Sequence, residues 1–453
     1  MRTDFLYNVN RNEELLIMEE KEILEKVEEG QKKNLLQRID WKKIWKYICE
    51  IDLYCLLAPF CMLAVLYVFC AFTGLWPEED NIYNSFALQA DSWLKGSLSL
   101  INGENYSYLE LAIFNGQYYV SFPPFPSYVL LPFSLVYGIN TPDGKITVVF
   151  VLIGALYAYK LCRELLGNER KEIAFLISMM IYIGSNTLFF SVISWVWFMA
   201  QSMSFTLTIL ALYFAVKAKP GRSLFFWACA VGCRPFQILM FPVMIMLMIR
   251  TWTATETDFK LWNKIKEQWY KGIPCFVVAI SYCILNYVRF GSIMEFGHNY
   301  LPEFTREEAG QFNIVYLEEN IKRMFRLPEM PANEAFNFFN SDGIALWIVN
   351  PIMILIVITA IYKLIKSRDR DTAIVLVILG TVIIHLFVIC MHRTLGGWHF
   401  GNRYTCDLLP MVAAGICLSM PISDKFLVGP KLLFIYGFAI NMIGTVAAYN
   451  YWI

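Results

Sequence analysis

Three consecutive carboxylates follow the first long apolar run of the sequence and are its first candidates for chemistry. Glu78, Glu79 and Asp80 come directly after Trp76-Pro77, where a helix leaving the membrane would meet water. A carboxylate at the mouth of a lipid-accessible cavity can act as a general base toward an acceptor hydroxyl or can ligate a metal ion. The alternative is a solvated helix end without a catalytic role.

Three arginines are candidates for binding an anion, because a guanidinium is a planar fork that matches phosphate oxygens. Arg403 stands at the predicted outer start of an apolar span, where the alternative role is to snorkel to the membrane interface. Arg234 lies inside an apolar run, and an ionised residue there is costly and is usually functional or paired. Arg393, in the short segment 392–402, is a weaker candidate.

Two histidines and one further acid complete the set of candidate residues. His392 and His399 flank one predicted external turn and could bind a metal or the acceptor, but their spacing matches no standard metal site. The alternative for both is a polar loop residue. Asp91 is a further candidate for acceptor binding. These residues neither require nor exclude a divalent metal ion, and we expect no organic cofactor.

The composition shows what kind of protein must position these residues. Of 453 residues, 57% are hydrophobic and 17% are charged, against about 45–50% and about 25% in soluble domains. The apolar residues form runs of about 20, each long enough to cross roughly 30 Å of hydrocarbon. These values exclude a soluble enzyme, a disordered chain and a secreted disulfide scaffold. Because 38 basic residues balance 38 acidic ones, net charge gives no case for nucleic-acid binding.

The sequence therefore predicts an all-α, polytopic transmembrane helical bundle. The predicted spans are 52–75, 145–163, 173–191, 195–217, 222–249, 272–290, 344–365, 373–391, 403–421 and 428–450. A shorter apolar stretch at 126–138 either re-enters the membrane or crosses it, and 222–249 is either one helix or a hairpin broken near Arg234. Counting these pieces either way gives about ten to twelve crossings.

Lysines and arginines in the short flanks predict the orientation, with the N-terminus in the cytoplasm. Residues 1–50 are polar and predict a cytoplasmic helical tail, and 51–453 form the membrane domain. Two long loops, 77–124 and 292–343, are then extracytoplasmic, and each contains a predicted juxtamembrane helix. In the first loop, 87–96 predicts an amphipathic helix that lies on the membrane.

A short hairpin and a proline-rich stretch follow in the same loop. Residues 114–120 read Phe-Asn-Gly-Gln-Tyr-Tyr-Val and predict a hairpin with Asn-Gly as its turn. Residues 121–127 carry three prolines, which fix an extended backbone before the chain returns to the membrane. In the second loop, the pattern of residues around 314–325 predicts an amphipathic helix.

These motifs, in this order, resemble the GT-C superfamily of integral-membrane glycosyltransferases. They are an acid after the first helix, Ala-Asp-Ser-Trp-Leu-Lys-Gly at 90–96, Asn-Gly-x-Tyr-Tyr, Pro-Pro-x-Pro and Gly-Asn-Arg-Tyr at 401–404. The resemblance spans roughly 50–420 and is to enzymes of the protein-mannosyltransferase and aminoarabinose-transferase kind. The order is more similar still to uncharacterised bacterial and archaeal GT-C-like membrane proteins.

The resemblance implies transfer of a hexosyl or pentosyl group, with inversion, from a polyprenyl-phosphate donor on the outer face of the cell membrane. The acceptor would be a protein, a lipid or a glycan. By position Asp80 would serve the acceptor as base or metal ligand, with Glu79 second and Glu78 third. Arg403 would contact the lipid phosphate.

The alternative function is a transporter or flippase of a lipid-linked sugar. Such a protein is expected to carry polar residues at the membrane midplane and usually an internal repeat. The sequence shows no repeat, and its intramembrane charges are few, with Arg234 foremost. The enzyme is therefore the favoured hypothesis.

Overall fold

The computed structural model describes residues 52–306, 308–328, 343–421, 423 and 425–452. The chain divides into two units, residues 1–53 and 54–453. The predicted cytoplasmic tail, 1–50, lies outside the described residues.

The regular secondary structure of the described residues is helical apart from one short hairpin, which confirms the predicted all-α fold. The α-helices are α1 (Leu53–Thr73), α2 (Ser85–Leu94), α3 (Phe125–Tyr137), α4 (Asp143–Leu166), α5 (Lys171–Tyr182), α6 (Thr187–Ser191), α7 (Val196–Val216), α8 (Pro220–Val231), α9 (Phe241–Thr255), α10 (Leu261–Gln268), α11 (Ile273–Phe290), α12 (Pro302–Thr305), α13 (Leu317–Met324), α14 (Leu346–Val349), α15 (Ile352–Lys366), α16 (Arg370–Cys390), α17 (Leu409–Ser419) and α18 (Val428–Tyr449). The hairpin pairs β1 (Leu111–Phe114) with β2 (Gln117–Val120).

Seven stretches of the described chain are long and apolar enough to cross a membrane, by length and composition. They are Leu53–Thr73, Asp143–Leu166, Val196–Val216, Pro235–Thr255, Leu261–Phe290, Arg370–Cys390 and Val428–Tyr449. Each reaches the length of about 20 residues that the hydrocarbon core requires. The protein is therefore an integral membrane protein with several crossings.

The other predicted spans form shorter or interrupted helices. The span predicted at 173–191 consists of α5 and α6, with a break between them, and the one at 222–249 is split between α8 and α9. Proline explains the second break, since Pro235 lacks an N–H and keeps Arg234 extended, at φ −141° and ψ 104°. Helices α15 and α17 have 15 and 11 residues, and α3, in the stretch 126–138, has 13.

Helix α7 lies at the centre of the bundle. Of its apolar window, 89% is buried, and it packs against α4 and α8. An apolar helix that is buried on all sides needs neighbours around its whole circumference. The first turn of α7 therefore reaches the loop 77–124 from a fixed position.

The first long loop, 77–124, folds into a compact layer around α2. The predicted helix is present and ends at Leu94, before Gly96 with φ +81°. The helix is more enclosed than an amphipathic surface helix, because every residue of 85–92 is buried and α2 packs against α3. Its predicted position on the membrane stays a prediction. The predicted hairpin is confirmed, with Asn115 at φ 50° and Gly116 at φ 72°, as a two-residue turn with both residues at positive φ requires.

Candidate functional site

Two adjoining cavities, of about 170 and about 270 Å³, lie where the two long loops and the segment 391–402 meet the bundle. They share the lining residues Phe122, Trp197, His298, His392, Arg403 and Tyr404. We call the combined space the arginine cavity. Its walls come from the segment before α3, the first turn of α7, the loop after α11, the loop after α16 and the 3₁₀ turn Arg403–Leu408.

The guanidinium of Arg403 is buried at this cavity and is held by uncharged groups. Its Nε donates to the carbonyl of Gly396 at 2.9 Å, and its Nη1 donates to Oε1 of Gln201 at 3.4 Å. Among the residues that the structure describes, no carboxylate lies within ion-pairing distance of it. A buried charge normally has a counter-charge. The cavity beside Arg403 therefore has an uncompensated positive charge that favours binding of an anion.

Arg234 reaches the same cavity from the break between α8 and α9. Its Nε and Nη2 donate to Oδ2 of Asp407 at 3.1 and 2.9 Å, and Oδ1 of Asp407 accepts from Gln201 at 2.9 Å. The ring of Tyr404 lies 4.5 Å from the guanidinium of Arg234 and 4.9 Å from that of Arg403. One aromatic ring therefore contacts both cations, of which only Arg234 has a contacting acid.

The rest of the arginine cavity is mostly apolar. Its apolar lining consists of Phe122, Pro123, Ala200, Pro235, Phe236, Met294, Phe296 and Phe312. A separate apolar groove of about 420 Å³ lies between the start of α9 and the second half of α16. The 3₁₀ turn Pro235–Met240 stands between the two spaces, with Phe236 lining the cavity and Ile238 lining the groove. Ile238 and Ile384, at 56% and 54% exposed, place the groove on the outer surface of two candidate spans.

A carboxylate that the sequence analysis did not select also lines the arginine cavity. Glu110 directly precedes β1, and its Oε2 accepts from the indole N–H of Trp197 at 2.8 Å. Glu110 is an exposed residue as a whole. Partial desolvation of its carboxyl at the cavity wall raises the pKa of Glu110, although the hydrogen bond from Trp197 and the charge of Arg403 act in the opposite direction. A raised pKa brings a carboxylate closer to the pH at which a general base works well. Glu303, on α12, lines the same space.

The two histidines of the cavity are neutral near pH 7. His392 places Nδ1 against the carbonyl of Thr394 and Nε2 3.1 Å from the amide nitrogen of Gln311, which the Nδ1–H tautomer satisfies. Burial lowers the pKa of His392 to about 4, and the charges of Arg234 and Arg403 act in the same direction. Burial also lowers the pKa of His298, whose Nδ1 lies 3.2 Å from a backbone carbonyl.

The three predicted acids line a different space. Glu78, Glu79 and Asp80 are exposed, at the rim of two adjoining cavities of about 320 and about 250 Å³ that share Pro77, Glu79, Asp80 and Asn81. We call these two cavities together the acid pocket. Asn81 fixes the loop, since its Nδ2 donates to Oδ2 of Asp143 at 2.7 Å and to the carbonyl of Ser194 at 2.9 Å. In the described part of the chain, no group of three or more His, Cys, Asp or Glu side chains is placed to hold a metal ion.

A wall of indole rings stands between the acid pocket and the arginine cavity. Trp195 lines the pocket and Trp197 lines the cavity, two residues apart at the start of α7. The ring of Tyr83 lies 5.0 and 5.1 Å from these two rings, and Trp398 lies 6.0 Å from Trp195. The structure therefore brings Arg403, Arg234 and His392 together and places Asp80 and Glu79 on the other side of the wall.

The remaining predicted residues line neither space. Asp91 is buried on α2 and pairs with Lys95, one turn later, at 2.7 Å. His399 is buried, with Nδ1 against the carbonyl of Gly397, and burial lowers its pKa to about 4. Arg393 donates to the backbone carbonyl of Glu303 at 3.1 Å, so it holds the helix whose carboxylate lines the cavity.

Two site residues had weak signals in the sequence. Asp407 is an acid inside the predicted span 403–421, just as Arg234 is a base inside another, and such intramembrane charges often pair. The only sequence signal for Glu110 is its position before the predicted hairpin, because its partner Trp197 is 87 residues away.

Comparisons with known proteins give distant similarities. No protein-family model and no curated protein matches the chain. Two solved structures match: the oligosaccharyltransferase of Archaeoglobus fulgidus in the apo form, at 11% identity and TM-score 0.42, and the oligosaccharyltransferase AglB of the same organism in complex with an inhibitory peptide and a dolichol-phosphate, at 12% and 0.36. Each match covers 86% of this chain, which spans only 56% of the length of either structure. Values this low do not place the chain in a family.

Proposed function

We propose that this protein is a membrane glycosyltransferase of the GT-C type that uses a polyprenyl-phosphate-linked hexose or pentose as donor, on the extracytoplasmic face. The observation that carries the proposal is Arg403, a buried cation without a contacting acid among the described residues, at a mostly apolar cavity. An exposed apolar groove lies on the other side of the 3₁₀ turn Pro235–Met240. A phosphate on a long apolar chain has the matching chemistry. The resemblance of the motifs to the GT-C superfamily supports the same reading.

In this proposal the donor phosphate contacts the forked guanidinium of Arg403, next to Tyr404 and Arg234. The polyprenyl chain follows the apolar lining from Phe236 to Ile238 and leaves the protein along the groove. Negative charge grows on the phosphate as it leaves the sugar carbon. A preorganised cation stabilises that charge more in the transition state than in the ground state.

We assign the general base to Glu110, because it lines the same cavity as Arg403. Its carboxylate takes the proton of the acceptor hydroxyl while the hydroxyl oxygen bonds to the anomeric carbon of the donor sugar. The bond from that carbon to the phosphate oxygen breaks, and polyprenyl phosphate leaves with the electron pair. Asp80 and Glu79 remain the alternative that the sequence favoured.

The test compares variants of the purified protein in lipid nanodiscs, first for binding of polyprenyl monophosphate. Arg403→Ala should weaken binding by about tenfold or more, because a charge-assisted hydrogen bond is lost. Arg306→Ala, which removes an exposed arginine of the second external loop, is the control and should bind like the wild type. Equal binding by Arg403→Ala and the wild type would exclude the phosphate role.

The second arm measures release of sugar from a panel of polyprenyl-phosphate hexoses and pentoses, with an envelope extract as the source of acceptor. Glu110→Gln should bind polyprenyl monophosphate normally and lose about 100-fold or more in the transfer rate. Wild-type rates in Glu110→Gln together with loss in Asp80→Asn would move the base to Asp80. Binding without release in the wild type, with movement of the donor across vesicles, would support the flippase alternative.

A further inference from the structure

The charges that line the arginine cavity are divided between its two component cavities. In the larger one, the charged lining residues are Arg234 and Arg403. In the smaller one, of about 170 Å³, they are Glu110, Glu303 and again Arg403. The described lining therefore has a cationic end, the larger cavity, and a carboxylate end, the smaller cavity.

The histidines do not change this division of charge. His298 and His392 line both cavities, and burial lowers the pKa of each of them. Both rings are therefore neutral near pH 7. At that pH the two acids of the carboxylate end face one cation, and that cation also serves the cationic end.

Glu303 presents a carboxylate that is available to a ligand at the carboxylate end. Its side chain is 47% exposed, and its Oε2 lies 3.9 Å from Nη1 of Arg393, which is too long for a hydrogen bond. Its charge acts on the opposite acid, because desolvation raises the pKa of Glu110 most and the charge of Glu303 raises it further. A ligand in this space is therefore exposed to both negative charges.

The rest of the lining suits one sugar ring. Trp197 and Trp398 line the carboxylate end and offer rigid apolar faces with polar edges. The volume of about 170 Å³ is below the range of drug-sized sites, about 300–1,000 Å³. A group bound here therefore stays close to the two carboxylates on every side of its ring.

We propose that the carboxylate end binds the sugar of the donor, and that Glu303 selects sugars without an acid group. The inference rests on the proposed function, because it takes Arg403 as the site of the donor phosphate. An ionised carboxylate accepts hydrogen bonds from sugar hydroxyls. It repels a second carboxylate, and such like-charge contacts are a common means of excluding a wrong ligand. The donor then lies with its phosphate at the cationic end and an uncharged ring between Glu110 and Glu303.

The experiment measures the binding of matched pairs of donors to the protein in zwitterionic nanodiscs. Polyprenyl-phosphate glucose and polyprenyl-phosphate glucuronic acid differ only at C6, and the galactose and galacturonic acid pair repeats the comparison with another stereochemistry. The neutral member of at least one pair should bind the wild type about tenfold or more tightly than its acidic member.

Two variants assign this discrimination to one side chain. Glu303→Gln should reduce the ratio of the two affinities to about threefold or less, because only Glu110 then repels the acid group. Glu308→Gln, which removes the charge of an exposed acid in the same loop, is the matched control and should keep the wild-type ratio. The comparison of donors on the wild type does not depend on the folding of either variant.

Three outcomes would overturn the proposal. They are equal binding of neutral and acidic donors by the wild type, an unchanged ratio in Glu303→Gln, and a ratio that stays the same from about 0.05 to about 1 M salt, since salt screens a half-exposed charge. In each case a neutral donor still binds, so the proposed function would stand. Failure of the wild type to bind any donor or polyprenyl monophosphate would instead remove the proposed function and this selectivity together.

Discussion

At the scale of single residues, Tyr404 allows two cations to share one wall of a cavity. Guanidinium groups repel each other when no anion lies between them, and here only Arg234 has a contacting carboxylate. The electron-rich faces of the Tyr404 ring attract both, at 4.5 and 4.9 Å. The ring thereby holds the two charges in fixed positions before a phosphate arrives.

Replacing Tyr404 should therefore weaken phosphate binding indirectly, because its ring holds Arg234 and Arg403 in position. Tyr404→Leu is expected to weaken binding of polyprenyl monophosphate by about tenfold, because each cation–π contact contributes about 0.5–2 kcal/mol. Tyr404→Phe keeps the ring and should bind nearly as tightly as the wild type. Isothermal titration in nanodiscs measures both affinities, and equal losses in the two variants would contradict a role for the ring.

At the scale of elements, interruptions of helices supply the residues of the site. The break between α8 and α9 exposes Arg234 to the cavity, and the 3₁₀ turn before α17 carries Arg403, Tyr404 and Asp407. The breaks gather them at one end of the bundle, where the central helix α7 also begins.

The acid pocket depends on a close contact between two elements. A Cβ atom on Gly144, in the first turn of α4, would lie 2.3 Å from the carbonyl oxygen of Pro77, so the acid-bearing loop packs directly on this glycine. Gly380 in α16 has nothing within 4 Å of such an atom. The two helical glycines therefore form a matched pair of positions.

We expect Gly144→Ala to displace the loop and to lower the free energy of unfolding by about 1–3 kcal/mol. Binding of polyprenyl monophosphate should persist, because the arginine cavity lies on the other side of the indole wall. Gly380→Ala should leave both stability and this binding unaffected. Thermal unfolding in detergent and titration with polyprenyl monophosphate are the measurements, and a loop that tolerates the added methyl without change would exclude the close contact.

At the scale of the whole molecule, the sequence predicted the elements better than their arrangement. The hairpin was predictable because Asn115-Gly116 determines its own turn, and the long helices because their apolar runs exceed the membrane thickness. The division of the candidate residues between two spaces was not, because it depends on distant contacts. Glu110 meets Trp197 across 87 residues, and Arg234 meets Asp407 across 173.

The stability of the whole protein should depend on pH through two buried histidines. Burial lowers the pKa of His392 and of His399 to about 4, from an ordinary value of 6.5. Below pH 6.5 the unfolded chain binds protons that the folded chain does not, so the stability present above pH 6.5 is lost as pH falls toward 4.

In that window, each of the two histidines should lower the free energy of unfolding by about 1.4 kcal/mol for each pH unit that the pH falls. The unfolding temperature in detergent should therefore fall steadily from about pH 6.5 to about pH 4. His392→Gln, which keeps a polar side chain opposite Gln311, should show a shallower fall. A constant unfolding temperature across this window would show that neither histidine is held neutral.

The apolar groove between α9 and α16 lies on the outer surface of two candidate spans, with Ile238 and Ile384 exposed. In the proposed function, a donor that enters the arginine cavity from this surface diffuses in two dimensions. Its occupancy then follows its mole fraction among the surrounding lipids, and adding detergent at a constant bulk concentration of donor would dilute it. The donor concentration at half-saturation should therefore stay constant when it is expressed as a mole fraction of lipid, and should change with the amount of detergent when it is expressed per volume.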